Sequence, residues 1–135
     1  MPDARSPSDA YGLMQIIVPT ARGLVRGTPF AADPDSLKRP EVSITLGAKL
    51  LGGLRASYPL NRALAIAAYN GGGGAVGRWL AARPSEDFDL WVEEIPFDET
   101  RGYIKRVLAN EAAYAFLYAP SAMDEVLALP PSVTR

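Results

Sequence analysis

PEVSITLGAKLLGGLRASYP, residues 40–59, decides the fold class. Val42, Leu46, Leu50, Leu54 and Tyr58 recur every four residues with Leu51 beside them, the apolar stripe of a helix that buries one face. Pro40 suits the first helical turn, and Pro59 ends the helix because it has no amide to donate to the preceding turn. Gly47, Gly52 and Gly53 each weaken helix propensity by up to about 1 kcal/mol relative to alanine. The expected compensation is close approach of another helix.

Outward from this helix, the pattern stays helical. Asn61 suits the N-cap of an alanine-rich helix through Tyr69. Gly71 to Gly74 break the chain before a short helix over about 75–82. Residues 83–96 read as loop with one turn around 88–92. A long helix runs from Asp98 to Tyr118, with Ile104, Val107, Leu108, Ala112, Ala115 and Tyr118 on its inner face. A last short helix is expected over 121–128, and Pro130-Pro131 opens a frayed tail. On the other side, residues 28–39 read as a connecting loop. Pro19 starts a short helix through Gly27, and residues 2–11 read as loop. No strand pattern of any length occurs, only a small irregular hairpin around residues 10–17, and no segment repeats. The fold class is all-α. One domain is expected, over residues 1–120, followed by a short helix and tail over 121–135.

Composition narrows the chemistry. The chain has 135 residues, a formal net charge of −1, and neither cysteine nor histidine. Zinc sites of the cysteine–histidine type, thiol nucleophiles and Ser-His-Asp triads are therefore excluded within it. Any catalysis must use carboxylates, tyrosine, lysine, arginine or backbone groups. The charge balance carries no basic footprint for nucleic acid. The longest apolar run, Ala63 to Tyr69, is far short of the roughly 20 residues that span a bilayer. No basic stretch followed by an apolar one opens the chain, so no secretory signal is read. The absence of cysteine fits either side of a membrane.

Four motifs stand out. Gly72-Gly73-Gly74-Ala75-Val76-Gly77 matches G-x-G-x-x-G, but it follows an alanine-rich helix rather than a buried strand, and Arg78-Trp79 stands where a P-loop needs Lys-Ser/Thr. The run reads as a tight turn between helices that needs positive φ. Tyr69-Asn70 has two readings: a tyrosine whose hydroxyl projects over the glycines into a cleft, or a core tyrosine beside a capping asparagine. Gln15 is the polar member of the apolar stretch Leu13 to Val18, and either satisfies backbone or reaches a ligand. Glu99, in the first turn of the long helix, is explained by the helix dipole alone.

Taken in order, five segments resemble the soluble lytic transglycosylase family, whose lysozyme-like domain cuts peptidoglycan. They are Ser6-Pro7 with Ala10-x-Gly12-Leu13-Met14-Gln15, then Pro19-Thr20-Ala21, and then Pro40-Glu41-Val42 with Ile44-x-Leu46-Gly47-Ala48. Ala65-x-Ala67-Ala68-Tyr69-Asn70-Gly71-Gly72 follows, and Ile95-Pro96-Phe97-x-Glu99-Thr100-Arg101-Gly102-Tyr103-Ile104-x-Arg106-Val107 comes last. Their order and spacing cover roughly residues 3–118. The resemblance implies an all-α, lysozyme-like fold of the goose-type lysozyme and transglycosylase kind.

It also implies roles. Ser6 matches a serine that contacts the catalytic acid. Gln15, Ile17 and Thr20 match cleft positions, although relatives often carry methionine at the position of Ile17. Tyr69 matches the tyrosine close to the catalytic carboxylate, followed by Asn70 as in relatives. Glu99 matches a carboxylate that contacts the sugar, and Tyr103 lies one turn further along. Tyr69 and Glu99 are thus expected to support catalysis, and all eight residues to bind substrate. No cofactor or metal is implied.

The reaction so implied cuts the β-1,4 bond between N-acetylmuramic acid and N-acetylglucosamine. A single glutamic acid protonates the leaving oxygen and then acts as base. The muramic acid's own 6-hydroxyl attacks and gives a 1,6-anhydro product, an intramolecular step of high effective concentration. The family's general acid is a Glu followed by Ser, upstream of the position of Ser6, which would fall before Met1. Asp3 and Asp9 are in the wrong place to replace it. The expectation is therefore a transglycosylase domain inactive as this chain alone, acting on glycan strands in the periplasm or cell envelope as part of its parent. An exposed apolar groove along the 41–58 and 63–69 helices is expected with it. A non-catalytic peptidoglycan- or chitooligosaccharide-binding module and a helical scaffold with a vestigial cleft are the competing readings.

Overall fold

The computed structural model describes residues 1–84 and 87–133. The chain divides into two compact units, residues 1–53 and 54–135.

In the first unit the hairpin is β1 (Ala10–Tyr11) against β2 (Ile16–Ile17), antiparallel, with Ala10 opposite Ile17 and Tyr11 opposite Ile16. The turn between them needs Gly12: its φ is +76°, and a Cβ there would lie 2.0 Å from the Leu37 carbonyl oxygen. Helix α1 (Val18–Leu24) follows directly, with Pro19 in its first turn as expected. Helix α2 (Pro34–Lys38) corrects the reading of 28–39 as loop. Its Asp33 accepts a hydrogen bond from the Ser36 amide at 2.9 Å, so the Asp-Pro pair starts a helix rather than only breaking the chain. That single turn drives Leu37, fully buried, into a core with Ile16, Ala21, Val42 and Leu46.

Helix α3 (Pro40–Ser57) matches its sequence signature. Gly47 is buried and admits Met14, since a Cβ there would sit 2.6 Å from Met14 Cγ. Gly52 and Gly53 do not serve close packing, because a Cβ at either would meet nothing within 4 Å. Lys49 reaches back to the Leu24 and Arg26 carbonyls at 2.7 and 2.9 Å, and so satisfies acceptors at the end of α1.

The second unit is built on α4 (Arg62–Gly71), capped by Asn61, whose Oδ1 accepts from the Ala63 amide at 3.1 Å. Ala63 to Ala68 are all buried, so α4 carries no exposed apolar groove, contrary to expectation; these side chains form part of the core with Trp79, Phe88 and Trp91. On α3, Ile44 and Leu51 are exposed. Gly72 takes φ +85° and turns the chain into α5 (Gly73–Ala82). Only that glycine needs positive φ; Gly73 and Gly74 are already helical. The turn expected near 88–92 is a full helix, α6 (Phe88–Glu93), because Phe88, Trp91 and Val92 all enter the core.

Helix α7 (Asp98–Tyr118) has the expected bounds. Ile104 and Ala115 face inward, but Tyr118 is 77% exposed. It stacks on Tyr114, one turn earlier, at 5.9 Å on the outer face, which corrects its assignment to the core. A 3₁₀ turn (Pro120–Ala122) and α8 (Met123–Leu127) end the helical part. Residues 131–133 are not frayed: the Pro131 carbonyl accepts from the Phe88 amide at 3.1 Å, and Val133 is buried in the core. Arg62 holds this end in place. Its guanidinium pairs with Glu111 at 3.0 Å and donates to the carbonyls of Glu125, Val126 and Ala128.

Candidate functional site

Four of the eight sequence-assigned residues belong to the first unit. Ser6 Oγ accepts from the Ala10 and Ser8 amides at 3.1 and 3.2 Å, which fixes the turn ahead of β1. Gln15 closes the hairpin in left-handed conformation, φ +50°. Its Nε2 donates to the Gly12 carbonyl at 2.8 Å and to the Ala4 carbonyl at 3.4 Å. The backbone-satisfying reading of Gln15 therefore holds for its amide nitrogen. Its Oε1 has no partner among the described residues, and the residue is exposed. Ile17, on β2, is 38% exposed, and Thr20 lies half-buried in α1.

The support beneath this hairpin is Ser43. Fully buried on α3, it accepts the Met14 amide at 2.9 Å. Asp9, also in positive φ, is held by Arg5 at 2.6 Å on the surface.

The other four lie in the second unit, where α4 ends and α7 begins. Tyr69 is half-buried in the last turns of α4. Burial, and secondarily the neighbouring Tyr103 phenol, pushes its hydroxyl up to about 12. Tyr103 is likewise half-buried, and burial raises its phenol. Asn70 does not cap its helix. Its Nδ2 donates to Glu99 Oε1 at 3.1 Å, and its Oδ1 accepts from Thr100 Oγ1 at 2.7 Å. Glu99 is exposed in the first turn of α7, where the helix dipole favours its charge. The structure thus brings Asn70 and Glu99 together directly and sets Tyr69 beside Tyr103.

Sequence reasoning missed two residues here. Thr100, 2% exposed, completes the hydrogen-bonded chain. Gly71 leaves room for it, since a Cβ there would lie 2.9 Å from Thr100 Oγ1. The available signal was a hydroxyl residue directly after Glu99, in a first turn where such side chains bond outside their own helix. Among the described residues no three His, Cys, Asp or Glu side chains gather to hold a metal.

An all-helical, lysozyme-like domain with one small hairpin and a carboxylate held by an asparagine is the class this geometry defines. The chain is similar to the crystallised 70 kDa soluble lytic transglycosylase of Escherichia coli at 40% identity and a TM-score of 0.81, over 87% of this chain and 20% of that one. It is similar to an inactive mutant of the lytic transglycosylase Slt of Pseudomonas aeruginosa at 41% identity and a TM-score of 0.77, over 97% of this chain and 20% of that one. Among curated proteins, the soluble lytic murein transglycosylase of Escherichia coli K12 is 41% identical over 118 residues, 85% of this chain and 18% of the relative. The putative soluble lytic murein transglycosylase of Haemophilus influenzae is 40% identical over 119 residues, 86% of this chain and 20% of the relative.

The family model described as Transglycosylase SLT domain matches residues 1–92, and the one described as Soluble lytic transglycosylase helical domain matches residues 94–119. The chain belongs to the transglycosylase SLT domain family. It spans about a fifth of the length of the curated relatives it matches. Among the described residues, no helix is long and apolar enough to cross a membrane.

Proposed function

We propose that this chain is the substrate-facing part of a peptidoglycan lytic transglycosylase of the cell envelope, with residues 1–120 as its domain. The bond at issue is the β-1,4 link after N-acetylmuramic acid, and the product is a 1,6-anhydro sugar. Ser6, Gln15, Ile17, Thr20, Tyr69, Asn70, Glu99 and Tyr103 are the proposed contacts to glycan or to the catalytic acid. Tyr69 and Glu99 support the reaction. On this reading none of the carboxylates proposed here is the general acid, and these 135 residues are expected to bind glycan without turning it over.

The observation that carries this reading is the Asn70–Glu99 hydrogen bond at 3.1 Å, in a chain of this family. It leaves Glu99 Oε2 without a protein partner among the described residues, as an acceptor for a sugar hydroxyl or amide. The test is calorimetric titration with chitohexaose and a purified muropeptide, alongside mass spectrometry of isolated sacculi incubated with the chain. Saturable binding with no 1,6-anhydro product is expected. Absence of saturable binding to both ligands refutes the reading, and release of anhydro product refutes the assignment of the general acid.

A further inference from the structure

We infer that Thr100 is the positioning residue of the Glu99 site: its buried hydroxyl fixes which way the Asn70 amide faces, and so where Glu99 presents its second oxygen, Oε2. The inference rests on the reading of Glu99 as a glycan contact.

An asparagine side chain is nearly symmetric in shape but not in chemistry. One end donates two hydrogens and the other only accepts. Beside a carboxylate, only the NH₂ end is favourable; the carbonyl end would face like charge. Asn70 therefore needs something to hold its carbonyl away from Glu99. Thr100 does this. Its Oγ1 donates to Asn70 Oδ1 at 2.7 Å, the shortest link of the chain Thr100–Asn70–Glu99. Thr100 is 2% exposed, so water cannot readily replace it as donor. Asn70 itself is half-buried, and Glu99 is exposed. Order thus passes from a buried hydroxyl, through an amide of fixed sense, to a solvent-facing carboxylate.

Gly71 is the second part of the arrangement. It follows Asn70 on α4, and a Cβ there would come to 2.9 Å from Thr100 Oγ1 and 3.2 Å from its Cγ2. A side chain at 71 displaces the hydroxyl. The glycine is therefore required for contact between the end of α4 and the first turn of α7, and not for its backbone dihedrals, since its φ is not positive.

The test uses the whole chain with Thr100→Val, which keeps the shape and removes the hydroxyl, and Thr100→Ser, which keeps the hydroxyl. Two readouts are taken. In the first, ¹⁵N-resolved NMR follows the Asn70 side-chain amide. In wild type its two protons are resolved and resist solvent exchange, and Glu99→Gln shifts them. In Thr100→Val the exchange protection falls and Glu99→Gln no longer shifts them; Thr100→Ser restores both. In the second, chitohexaose affinity falls about tenfold in Thr100→Val and returns to within about twofold of wild type in Thr100→Ser.

Circular dichroism checks whether each variant is folded. If Thr100→Val is unfolded, Thr100→Ser and Gly71→Ala carry the test by the same two readouts. Thr100→Ser must match wild type, and Gly71→Ala must lose the Asn70 protection with the hydroxyl still present. Unchanged Asn70 resonances, or unchanged affinity in a folded Thr100→Val chain, overturn the inference. If wild type itself binds neither chitohexaose nor the muropeptide, the reading of Glu99 as a glycan contact fails. The NMR arm then decides the Thr100–Asn70–Glu99 relay by itself.

Discussion

Of the three glycines in helix α3, Gly47 and Gly52 look alike in sequence and differ in three dimensions, so one substitution made at both separates packing from propensity. Alanine is favoured over glycine in a helix interior by about 1 kcal/mol, and that gain is the same at 47 and at 52. At Gly52 nothing lies within 4 Å of the added Cβ, so Gly52→Ala should stabilise by up to about 1 kcal/mol. At Gly47 the Cβ would sit 2.6 to 2.7 Å from the Cγ, Cβ and Cε atoms of Met14. Non-bonded carbons prefer about 3.5–4.0 Å, so Met14 must retreat by roughly 1 Å. Only the end of that side chain is free to swing. Its Cβ is fixed by a backbone whose amide is bonded to the buried Ser43.

Overpacking of this kind costs roughly 1–3 kcal/mol. Because propensity cancels between the two sites, Gly47→Ala should be less stable than Gly52→Ala by about that amount. Urea unfolding followed by circular dichroism measures both midpoints and slopes. Combining Gly47→Ala with Met14→Ala should recover part of the loss, a favourable coupling between adjacent sites. If the two single variants shift stability equally and in the same direction, the close approach of Met14 to α3 is not what holds this hairpin.

Three other perturbations test separate parts of the molecule. Arg62→Met removes the Glu111 pair and three carbonyl contacts, and should cost about 2–4 kcal/mol. It should also open residues 119–130 to limited proteolysis, and an unchanged digestion pattern would contradict the clamp. Ser43→Ala leaves the Met14 amide without its acceptor and should cost about 1–3 kcal/mol in the same urea assay, so a change below about 0.5 kcal/mol would count against it. The Tyr69 phenol, held near 12 by burial, is neutral in the folded chain where the unfolded chain has begun to ionise. Its stabilising contribution is therefore complete below about pH 10, and is lost as pH rises toward 12. Thermal melts across that window should show a decline that Tyr69→Phe reduces; equal declines in both chains would refute it.

The long helices were legible because their signals are local and redundant. The four-residue stripe from Val42 to Tyr58, the Asn61 cap and the Asp98–Tyr118 span all agree with the structure. What failed had non-local causes. Asp33-Pro34 is equally good punctuation for a loop and for a helix start, and only the burial of Leu37 decides between them. Tyr118 fits the apolar period of α7 but lies past the end of the core. Val133 follows two prolines and still packs, because the Phe88 amide needs the Pro131 carbonyl.

Tyr69, Asn70, Glu99 and Tyr103 were named together by the family resemblance, and the structure sets Asn70 against Glu99 and Tyr69 near Tyr103. The direction of the Asn70 amide was not legible in the sequence. It depends on Thr100, thirty positions away in sequence, which only the packing of α4 on α7 brings within 2.7 Å.

Gln15 carries a further consequence, for laboratory selection. A left-handed residue with a side chain costs on the order of 1 kcal/mol relative to glycine in the same place. A library screened only for heat resistance should therefore enrich glycine at position 15, where φ is +50°. The same change deletes the Nε2 bonds to the Gly12 and Ala4 carbonyls, which offset part of that gain, and an amide oxygen that has no partner among the described residues at a proposed glycan contact. Stability screening and binding screening should consequently diverge at this codon, and the ratio of glycine to glutamine recovered from each would report how strongly the hairpin is kept for its ligand rather than for its fold.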